Sequence, residues 1–334
     1  MPDVPHRKQP HILVLYNENP AWPQVDKDWA NEFIAQMTGG LQEQGYAFET
    51  LKFFDDLSGL DRYDPRQWLV WNWGEELGGQ PWTEALVTDV LDARGFTYTG
   101  ANGATMRASQ NRLDVKRKLQ AAGLPTLPAR VFSDPAQAAE WTHYPAIVKG
   151  NTQHASFGID GHSIVDSPEE LAARITYVRD TLHDESLVEP FLDTREFHVA
   201  VWGNAQPEAL PPLEYDYSVF SDRRDRLFTF QWKFDRTSRG FKEIKMPCPA
   251  PEDRPDWQAR LRTLAEAAYT TLGLRDYGRL DFRMLGDEPQ ILDVNANPDM
   301  DVVSVLPLAS HALGYTYGQM VSRIIQFAAE RMPD

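Results

Sequence analysis

Short apolar runs alternate with stretches of helical periodicity along the first part of the chain. The predicted strands are residues 11–17, 48–53 and 68–73, and the predicted helices end at Gly45 and Arg94. This alternation predicts an open α/β sheet, in which ligands lie beyond the carboxyl ends of the strands. Asn72, Glu75 and Glu76 lie at such an end.

The rest of the chain predicts further strands, amphipathic helices and one hairpin. Helical patterns cover residues 104–122, 135–142, 168–182, 255–272 and 317–331, and strand patterns cover residues 129–132, 144–149 and 186–202. Apolar and polar residues alternate on both sides of the turn at residues 286–289, which predicts a hairpin within residues 277–301. No internal repeat or low-complexity linker interrupts the pattern, so we expect the domains to be packed together.

The composition excludes several classes of protein. The chain has 334 residues, 42% of them hydrophobic, and is long enough for two or three domains with substantial cores. Its net charge of −16 argues against a nucleic acid or an anionic membrane as partner. Cys248 is the single cysteine, so an internal disulfide and a thiolate metal site are excluded. No stretch approaches the roughly 20 apolar residues of a membrane span, and residues 1–10 predict a disordered lead-in without a signal peptide, so we expect a cytoplasmic protein.

The predicted hairpin carries acids where a packed sheet would not favour them. Asp293 and Asn295 are two apart and share a face of their strand, and the neighbouring strand can bring Asp281 opposite them. Two carboxylates held close together in a partly buried site are costly unless a cation lies between them. Oxygen ligands of this kind suit Mg²⁺ or Mn²⁺. On spacing alone, the alternative that these acids cap strand ends in solvent stays open.

Two further segments have features of a nucleotide site. Lys149 ends an apolar strand and precedes a loop of small residues at 150–158, whose N–H groups could cover phosphates. The loop lacks the Gly-Lys-Ser/Thr ending of a Walker loop, and most such loops are ordinary turns. Glu189 and Glu196 flank a bend that could meet a purine edge and ribose hydroxyls, although exposed acids on an edge strand are an equal alternative.

Residues 218–245 reverse the charge of the chain locally. The segment has eight lysines and arginines against four acids, and such a reversal attracts anions. Four of its aromatic residues, Phe228, Phe230, Trp232 and Phe234, lie close together in the sequence. We predict a ligand-covering flap; the alternative is a surface loop bound to an acidic neighbour. The helix predicted at 104–122 also has a basic side, on which we expect Arg117 and Lys118 to face solvent.

Several motifs in order resemble the D-alanine–D-alanine ligase branch of the ATP-grasp superfamily, over nearly the whole chain. The motifs are TYTGANGATMRASQNRLDVKRKL, YPAIVKG with the loop after it, LVEPFLDTREFHVAVWGN, QWKFD, YGRLDFR and LDVNANPD. The resemblance implies an α/β (α+β) ATP-grasp fold, with an N-terminal open α/β domain at residues 1–105. Two α+β subdomains, a lid subdomain at 106–193 and a catalytic subdomain at 194–334, would clasp ATP.

The resemblance also implies roles for individual residues. The implied nucleotide contacts are Arg112, Lys149, Ser156, Phe157, Gly158, Glu189, Phe191, Leu192, Glu196 and Lys233. The implied metal ligands are Asp281, Asp293 and Asn295, which would hold two Mg²⁺ ions, with Mn²⁺ as an alternative. Arg279 would steady the transferred phosphoryl group and the later oxyanion, with Lys233 on the phosphates and Ser304 near the carboxylate of the second substrate.

The sequence departs from the family pattern around the amino-acid site. Arg112 stands in place of lysine, Asp293 in place of glutamate, Ala155 and Phe234 in place of a serine and a tyrosine, and Asp299 in place of glycine. The implied reaction is ATP-dependent ligation of a small-molecule carboxylate to an amine, amino acids or derivatives, through an acyl phosphate. The departures predict a product other than D-alanyl-D-alanine, with an amino-acid or natural-product substrate.

Three alternatives stay open at this point. They are a D-alanine–D-alanine ligase proper, an ATP-grasp kinase-like enzyme that releases a phosphorylated product, and a nucleotide-binding module without turnover. The resemblance also implies a homodimer, for which the sequence itself gives no sign.

Overall fold

The computed structural model describes residues 9–333, with the side chain of Phe234 left outside the description. Eight of the ten residues of the predicted lead-in therefore lie outside the described residues. The first elements are β1 (His11–Asn17), α1 (Gln24–Glu43), β2 (Phe48–Phe53), β3 (Trp68–Trp73), α2 (Glu84–Ala93) and β4 (Thr97–Tyr98). The strands form a parallel sheet in the order β2-β1-β3-β4, as the alternation of strands and helices predicted.

Both faces of this parallel sheet are buried, which is why its central strands are continuous apolar runs. Along β1, Ile12 and Val14 face the core shared with α1, while Leu13 and Leu15 face the core shared with α2. Register pairs Leu15 with Asn72, so the carboxyl ends of β1 and β3 lie side by side.

The single helix predicted at residues 104–122 is two helices, so that prediction was wrong. α3 (Gly103–Gln110) and α4 (Arg112–Ala121) are separated at Asn111, whose backbone is extended (φ −85°, ψ 107°). The Asn111 side chain caps α4 by accepting from the Asp114 N–H at 3.1 Å. The Arg112 N–H donates to the Asn151 carbonyl at 3.0 Å instead of to the preceding helix. A side-chain cap of this kind competes with helical hydrogen bonds and leaves no trace in apolar periodicity.

The middle of the chain forms a second, antiparallel sheet in the order β5-β8-β6-β7. Its elements are β5 (Arg130–Phe132), β6 (Ala146–Gly150), β7 (Ile164–Val165), α5 (Pro168–Thr181) and β8 (Ser186–Pro190). The helix predicted at 135–142 is a short 3₁₀ helix, Pro135–Glu140, which the capping box of Asp134 begins. α5 packs on the sheet through Leu171, Ile175 and Val178.

The last sheet runs β10-β9-β12-β13, with β11 also paired to β9. The elements are β9 (Glu196–Trp202), β10 (Glu208–Ala209), β11 (Leu213–Tyr215), α6 (Phe230–Phe234), α7 (Arg239–Glu243), α8 (Pro255–Leu272), β12 (Tyr277–Leu285), β13 (Glu288–Asn295), α9 (Val305–Ala312) and α10 (Tyr317–Ala329). β12 and β13 form the predicted hairpin, whose turn uses Gly286 at φ +61°.

Buried polar contacts tie the parallel sheet to the last sheet. Asp276 is fully buried and accepts from Arg331 Nη1 and Nη2 at 2.6 and 2.7 Å and from the Gly100 N–H at 2.8 Å. Asn297 accepts from the Ala101 N–H at 2.9 Å. These contacts place the loop after β13 against the loop after β4.

Along residues 9–333, we find no helix with both the length and the apolar character that a membrane crossing needs. The domain boundaries at residues 105 and 193 stay a prediction.

Candidate active site

A cavity of about 100 Å³ lies between the second and the last sheets. The predicted site residues that line it are Arg112, Lys149, Ser156, Glu189, Phe191, Leu192, Glu196, Lys233, Arg279, Asp281, Asp293 and Asn295. The structure brings these residues together from α4, β6, β8, β9, α6, the hairpin and the loops after β6 and β8, and their roles stay predictions. Phe157, Gly158 and Ser304 do not line the cavity.

The hairpin places both predicted metal-binding acids on one face. Asp281 pairs directly with Asp293 in the antiparallel register, and Arg279 pairs with Asn295 two residues away. Arg279 donates to both carboxylate oxygens of Asp281, at 2.7 and 3.0 Å. Asn295 Nδ2 donates to Asp281 Oδ2 at 3.1 Å. Arg112 donates to Asp293 Oδ2 at 3.0 and 3.3 Å.

The arginines determine the charge state of this face. Burial favours the neutral form of Asp293, but Arg112 and Lys149 outweigh it and hold the pKa of Asp293 well below its usual range. Burial likewise opposes the charge of Arg279, but Asp281 outweighs it and raises the pKa of Arg279. Both groups are therefore charged at neutral pH.

The donor set on this face fits a hard divalent cation bound together with phosphate. The described part of the chain contains no group of three or more histidine, cysteine, aspartate or glutamate side chains arranged to hold a metal ion. Asp281 and Asp293 supply two carboxylates, and Asn295 keeps its amide oxygen because only its Nδ2 is used. A magnesium ion held here needs further oxygens from a ligand, and phosphates provide them. The metal assignment stays a prediction.

Two buried lysines flank Glu189 at another wall of the cavity. Lys149 Nζ donates to Oε1 at 2.8 Å, and Lys116 Nζ lies 2.6 Å from Oε2 in an ion pair that lacks hydrogen-bond alignment. Burial opposes the charge of Glu189, but the two lysines outweigh it and lower its pKa. Burial lowers the pKa of Lys116 despite this partner. The sequence analysis assigned Lys116 no role, although it lies one helical turn after Arg112.

Glu196 is enclosed by charged neighbours that the sequence analysis also missed. Arg283 Nε donates to Glu196 Oε2 at 2.9 Å, and His198 Nε2 lies 3.0 Å from Oε1. Burial opposes the charge of Glu196, but Arg283 and His198 outweigh it and lower its pKa to about 2. His198 is two residues after Glu196, and Arg283 is two residues after Asp281, so the period of two along a strand was the available signal.

The loop of small residues covers one side of the cavity. Ser156 and Ala155 line the cavity with backbones in the left-handed region, at φ +60° and +53°. Gly158 has φ +69°, and a Cβ atom there would lie 2.4 Å from Leu182 Cδ1, so glycine is required. Phe157 lies outside the cavity, with its ring 6.5 Å from that of Trp82 and 6.4 Å from that of Phe230.

The basic segment, residues 218–245, has features of both alternatives: a flap that covers a ligand and a surface loop bound to an acidic neighbour. Lys233 on α6 lines the cavity, and burial together with the charge of Arg279 lowers its pKa. Further out, Arg224 pairs with Asp166 and Glu170 at 2.8 and 2.9 Å. The segment therefore supplies a cation to the cavity and is also paired with acids after β7 and in α5.

The structure also shows where Ser304, the two basic residues of α4 and the apolar lining residues of the cavity lie. Ser304 is the N-terminal cap residue of α9, and its N–H donates to the Asp301 carbonyl at 2.9 Å. Arg117 and Lys118 are exposed, as predicted. The apolar lining that sequence reasoning did not identify consists of Ile147, Ile159, Leu227 and Leu292, whereas Phe228 belongs to the predicted flap. No spacing rule separates these residues from ordinary core positions.

Comparison with known proteins places the chain in a family. A protein-family model, described as D-ala D-ala ligase C-terminus, matches residues 120–326 of the chain. A D-alanine--D-alanine ligase of Desulforudis audaxviator is 31% identical over 257 residues, 74% of this chain and 78% of the relative. An uncharacterized protein of Sinorhizobium fredii, y4sG, is 26% identical over 323 residues, 93% of this chain and 91% of the relative.

Solved structures of the same kind share the fold. A D-alanine–D-alanine ligase of Bacillus anthracis complexed with ATP has a TM-score of 0.72 at 17% identity, covering 96% of this chain and 97% of that chain. A second structure of that ligase has a TM-score of 0.73 at 19% identity, with coverages of 96% and 98%. The predicted ATP-grasp fold and the predicted ligase class are confirmed. The chain belongs to the D-alanine–D-alanine ligase family.

Proposed function

We propose that this protein is an ATP-dependent ligase that joins a small-molecule carboxylate to an amine through an acyl phosphate. The observation that carries the proposal is the charge arrangement of the cavity. Arg112, Lys149, Lys233 and Arg279 face one cavity from four segments, with the carboxylates of Asp281 and Asp293 among them. Cations around a cavity with two carboxylates are the arrangement that binds and transfers a phosphoryl group.

In the first step, the substrate carboxylate attacks the γ-phosphorus of ATP, and ADP leaves with the electron pair of the broken bond. Lys149, Lys233 and Arg279 neutralise the charge that develops on the phosphoryl oxygens. Asp281, Asp293 and Asn295 would hold magnesium, which supplies further positive charge when bound; two ions, or manganese instead, are consistent with these residues.

In the second step, the neutral amine attacks the acyl carbon. Its electron pair forms the C–N bond, the oxyanion collapses, the bond between the acyl carbon and the phosphate oxygen breaks, and the proton lost from the nitrogen leaves with the phosphate. Arg279 can stabilise the oxyanion because its guanidinium lies in the cavity and remains charged. Acyl phosphates hydrolyse readily, so the loop at 150–158 and the basic segment must exclude water while both steps occur.

The substrates are proposed to differ from two D-alanines. Ala155 lines the cavity without a hydroxyl, and Asp299 adds a carboxylate to the loop that carries Ser304. The second candidate is a D-alanine–D-alanine ligase proper, which the names of several relatives favour. A cytoplasmic homodimer remains part of the prediction.

The substitution Asp293→Ala tests the proposal. It should abolish phosphate release from ATP in the presence of amino acids and Mg²⁺ while leaving the circular dichroism spectrum unchanged. Asp287→Ala is the matched control, because Asp287 lies exposed at the turn of the same hairpin. Full turnover by Asp293→Ala would contradict the site assignment. Product masses from a panel of D- and L-amino acids separate the two candidates, and a phosphorylated product without an amide would contradict both.

A further inference from the structure

Each carboxylate of the predicted metal site is held by a guanidinium. Asp293 Oδ2 accepts from Nε and Nη2 of Arg112 at 3.3 and 3.0 Å. Asp281 accepts from Nε of Arg279 at Oδ1 and from Nη2 at Oδ2, at 2.7 and 3.0 Å. Two positive charges therefore balance the two carboxylates, and the negative charge that would attract a divalent cation is already compensated.

Hydrogen bonds also occupy most of the oxygen lone pairs of these two carboxylates. An ionised carboxylate has about four sites at which it can accept. At Asp293, Arg112 uses two of them and the Val294 N–H a third, at 3.1 Å. At Asp281, the guanidinium described above uses two and Asn295 Nδ2 a third, at 3.1 Å. A metal ion therefore has to displace a guanidinium before it can use both oxygens of either residue.

Arg112 is anchored on its other side by the start of the small-residue loop. Its Nη1 donates to the Gly150 carbonyl at 2.9 Å and to the Gln153 carbonyl, and its backbone N–H donates to the Asn151 carbonyl at 3.0 Å. The residue is 5% exposed and lines the cavity. These contacts need not break when Nε and Nη2 exchange Asp293 for another acceptor. The exchange therefore breaks one ion pair and leaves the guanidinium beside the cavity.

A phosphate group is an acceptor that can take the place of the carboxylate. The planar fork of arginine binds carboxylate and phosphate alike, through paired N–H donors. Lys149 and Lys233 line the same cavity, where the proposed function assigns them to phosphoryl oxygens. A nucleotide in the cavity therefore brings an acceptor for Arg112, and its phosphates supply the negative charge and the further oxygens that a metal ion requires.

We propose that Arg112 and a divalent metal ion compete for Asp293, and that nucleotide phosphate releases Asp293 to the metal by accepting the guanidinium. Arg112 is thus a positioning residue that couples metal binding to nucleotide binding. The coupling keeps a metal ion off Asp293 until a phosphoryl donor is present. This inference rests on the proposed function, because it takes Asp293 as a metal ligand and the cavity as the nucleotide site, and it adds how binding at that site is regulated.

Binding of Mn²⁺ without nucleotide, measured by electron paramagnetic resonance of the free ion, tests the competition. We expect Arg112→Met to bind Mn²⁺ at least about tenfold more tightly than the native protein, because Asp293 loses its counter-charge. The gain should disappear in the double variant Arg112→Met, Asp293→Asn. Arg117→Met makes the same charge change at an exposed position of the same helix and should bind like the native protein. Unchanged or weaker binding by Arg112→Met would overturn the inference, since a merely structural role does not raise the affinity.

A second measurement keeps Arg112 in place and covers the case in which Arg112→Met does not fold. Asp293→Asn in the otherwise native protein should change the affinity for Mn²⁺ alone by less than about twofold, as the exposed control Asp287→Asn should, because Arg112 withholds Asp293 from the metal. A larger loss in Asp293→Asn than in the control would overturn the inference.

Amide formation, followed by product mass, separates failure of the inference from failure of the proposed function. If Arg112→Met gains Mn²⁺ affinity but the native protein forms no amide with any substrate pair, the proposed function fails and the competition stands. If the native protein forms amides and Arg112→Met gains no Mn²⁺ affinity, the inference fails and the proposed function stands.

Discussion

Arg283 lies directly opposite Glu196 across the antiparallel pair of β9 and β12, and its Nε donates to Glu196 Oε2 at 2.9 Å. The same guanidinium donates to the carbonyls of Leu192 and Arg226. It therefore connects the bend after β8, the segment before α6 and the strand that carries Glu196. All of its partners are acceptors, and the residue is 3% exposed.

Removing Arg283 should destabilise the protein, because Glu196 would remain buried and charged without its main partner. For Arg283→Met we expect the free energy of unfolding to fall by about 3 kcal/mol. Urea unfolding at neutral pH measures the change. The double variant Arg283→Met, Glu196→Leu is the control, and it should recover more than half of the loss because no buried charge is left over. A single variant as stable as the native protein would show that the pair carries no such energy.

Lys149 and Lys116 both contact Glu189, but only Lys149 lines the cavity. Lys149→Ala should therefore weaken ATP binding by about 1.5–3 kcal/mol, the cost of a charge-assisted hydrogen bond. Lys116→Met should weaken it less, because Lys116 acts through the position of Glu189. Isothermal calorimetry with ATP checks both, and Lys118→Ala, on the exposed side of the same helix, is the matched control. Unchanged affinity in Lys149→Ala would remove this lysine from the nucleotide site.

The sequence was sufficient to place residues on a common strand face where the period of two applies. Asp281, Asp293 and Asn295 follow from a period of two along paired strands, and the register of the hairpin confirms their shared face. It was insufficient where one side chain competes with periodicity, as Asn111 does between α3 and α4. It also missed Lys116 and Arg283. The period of two from Asp281 was a signal for the face on which Arg283 lies, but the partners of the two residues lie 73 and 87 positions away in sequence, and no local pattern identifies such partners.

Phe157 connects the small-residue loop to two other segments through ring contacts with Trp82 and Phe230. Each contact of this type is worth about 0.5–1.5 kcal/mol, so Phe157→Ala should favour open states of the loop. Water would then reach the acyl phosphate, and we expect more phosphate released per amide formed. The ratio of phosphate to amide product measures this, with Leu285→Ala as a control at another exposed apolar residue. A ratio equal to that of the native protein would show that the ring contacts do not hold the loop closed.

The carboxylate of Glu75 should reduce the stability of the free protein at neutral pH. Its pKa rises from 4.5 to about 8 on folding, so the folded state binds its proton more tightly than the unfolded state. Stability from this group is therefore present below about pH 4.5 and is lost as pH rises toward 8. Glutamine resembles the protonated form, so Glu75→Gln should unfold at a higher temperature than the native protein at about pH 8 and at a similar temperature at about pH 4. Thermal unfolding at both pH values measures the difference, and Glu140→Gln, an exposed acid paired with Arg130, controls for general charge effects. A variant that gains nothing at the higher pH would show that the carboxylate is already compensated in the free protein.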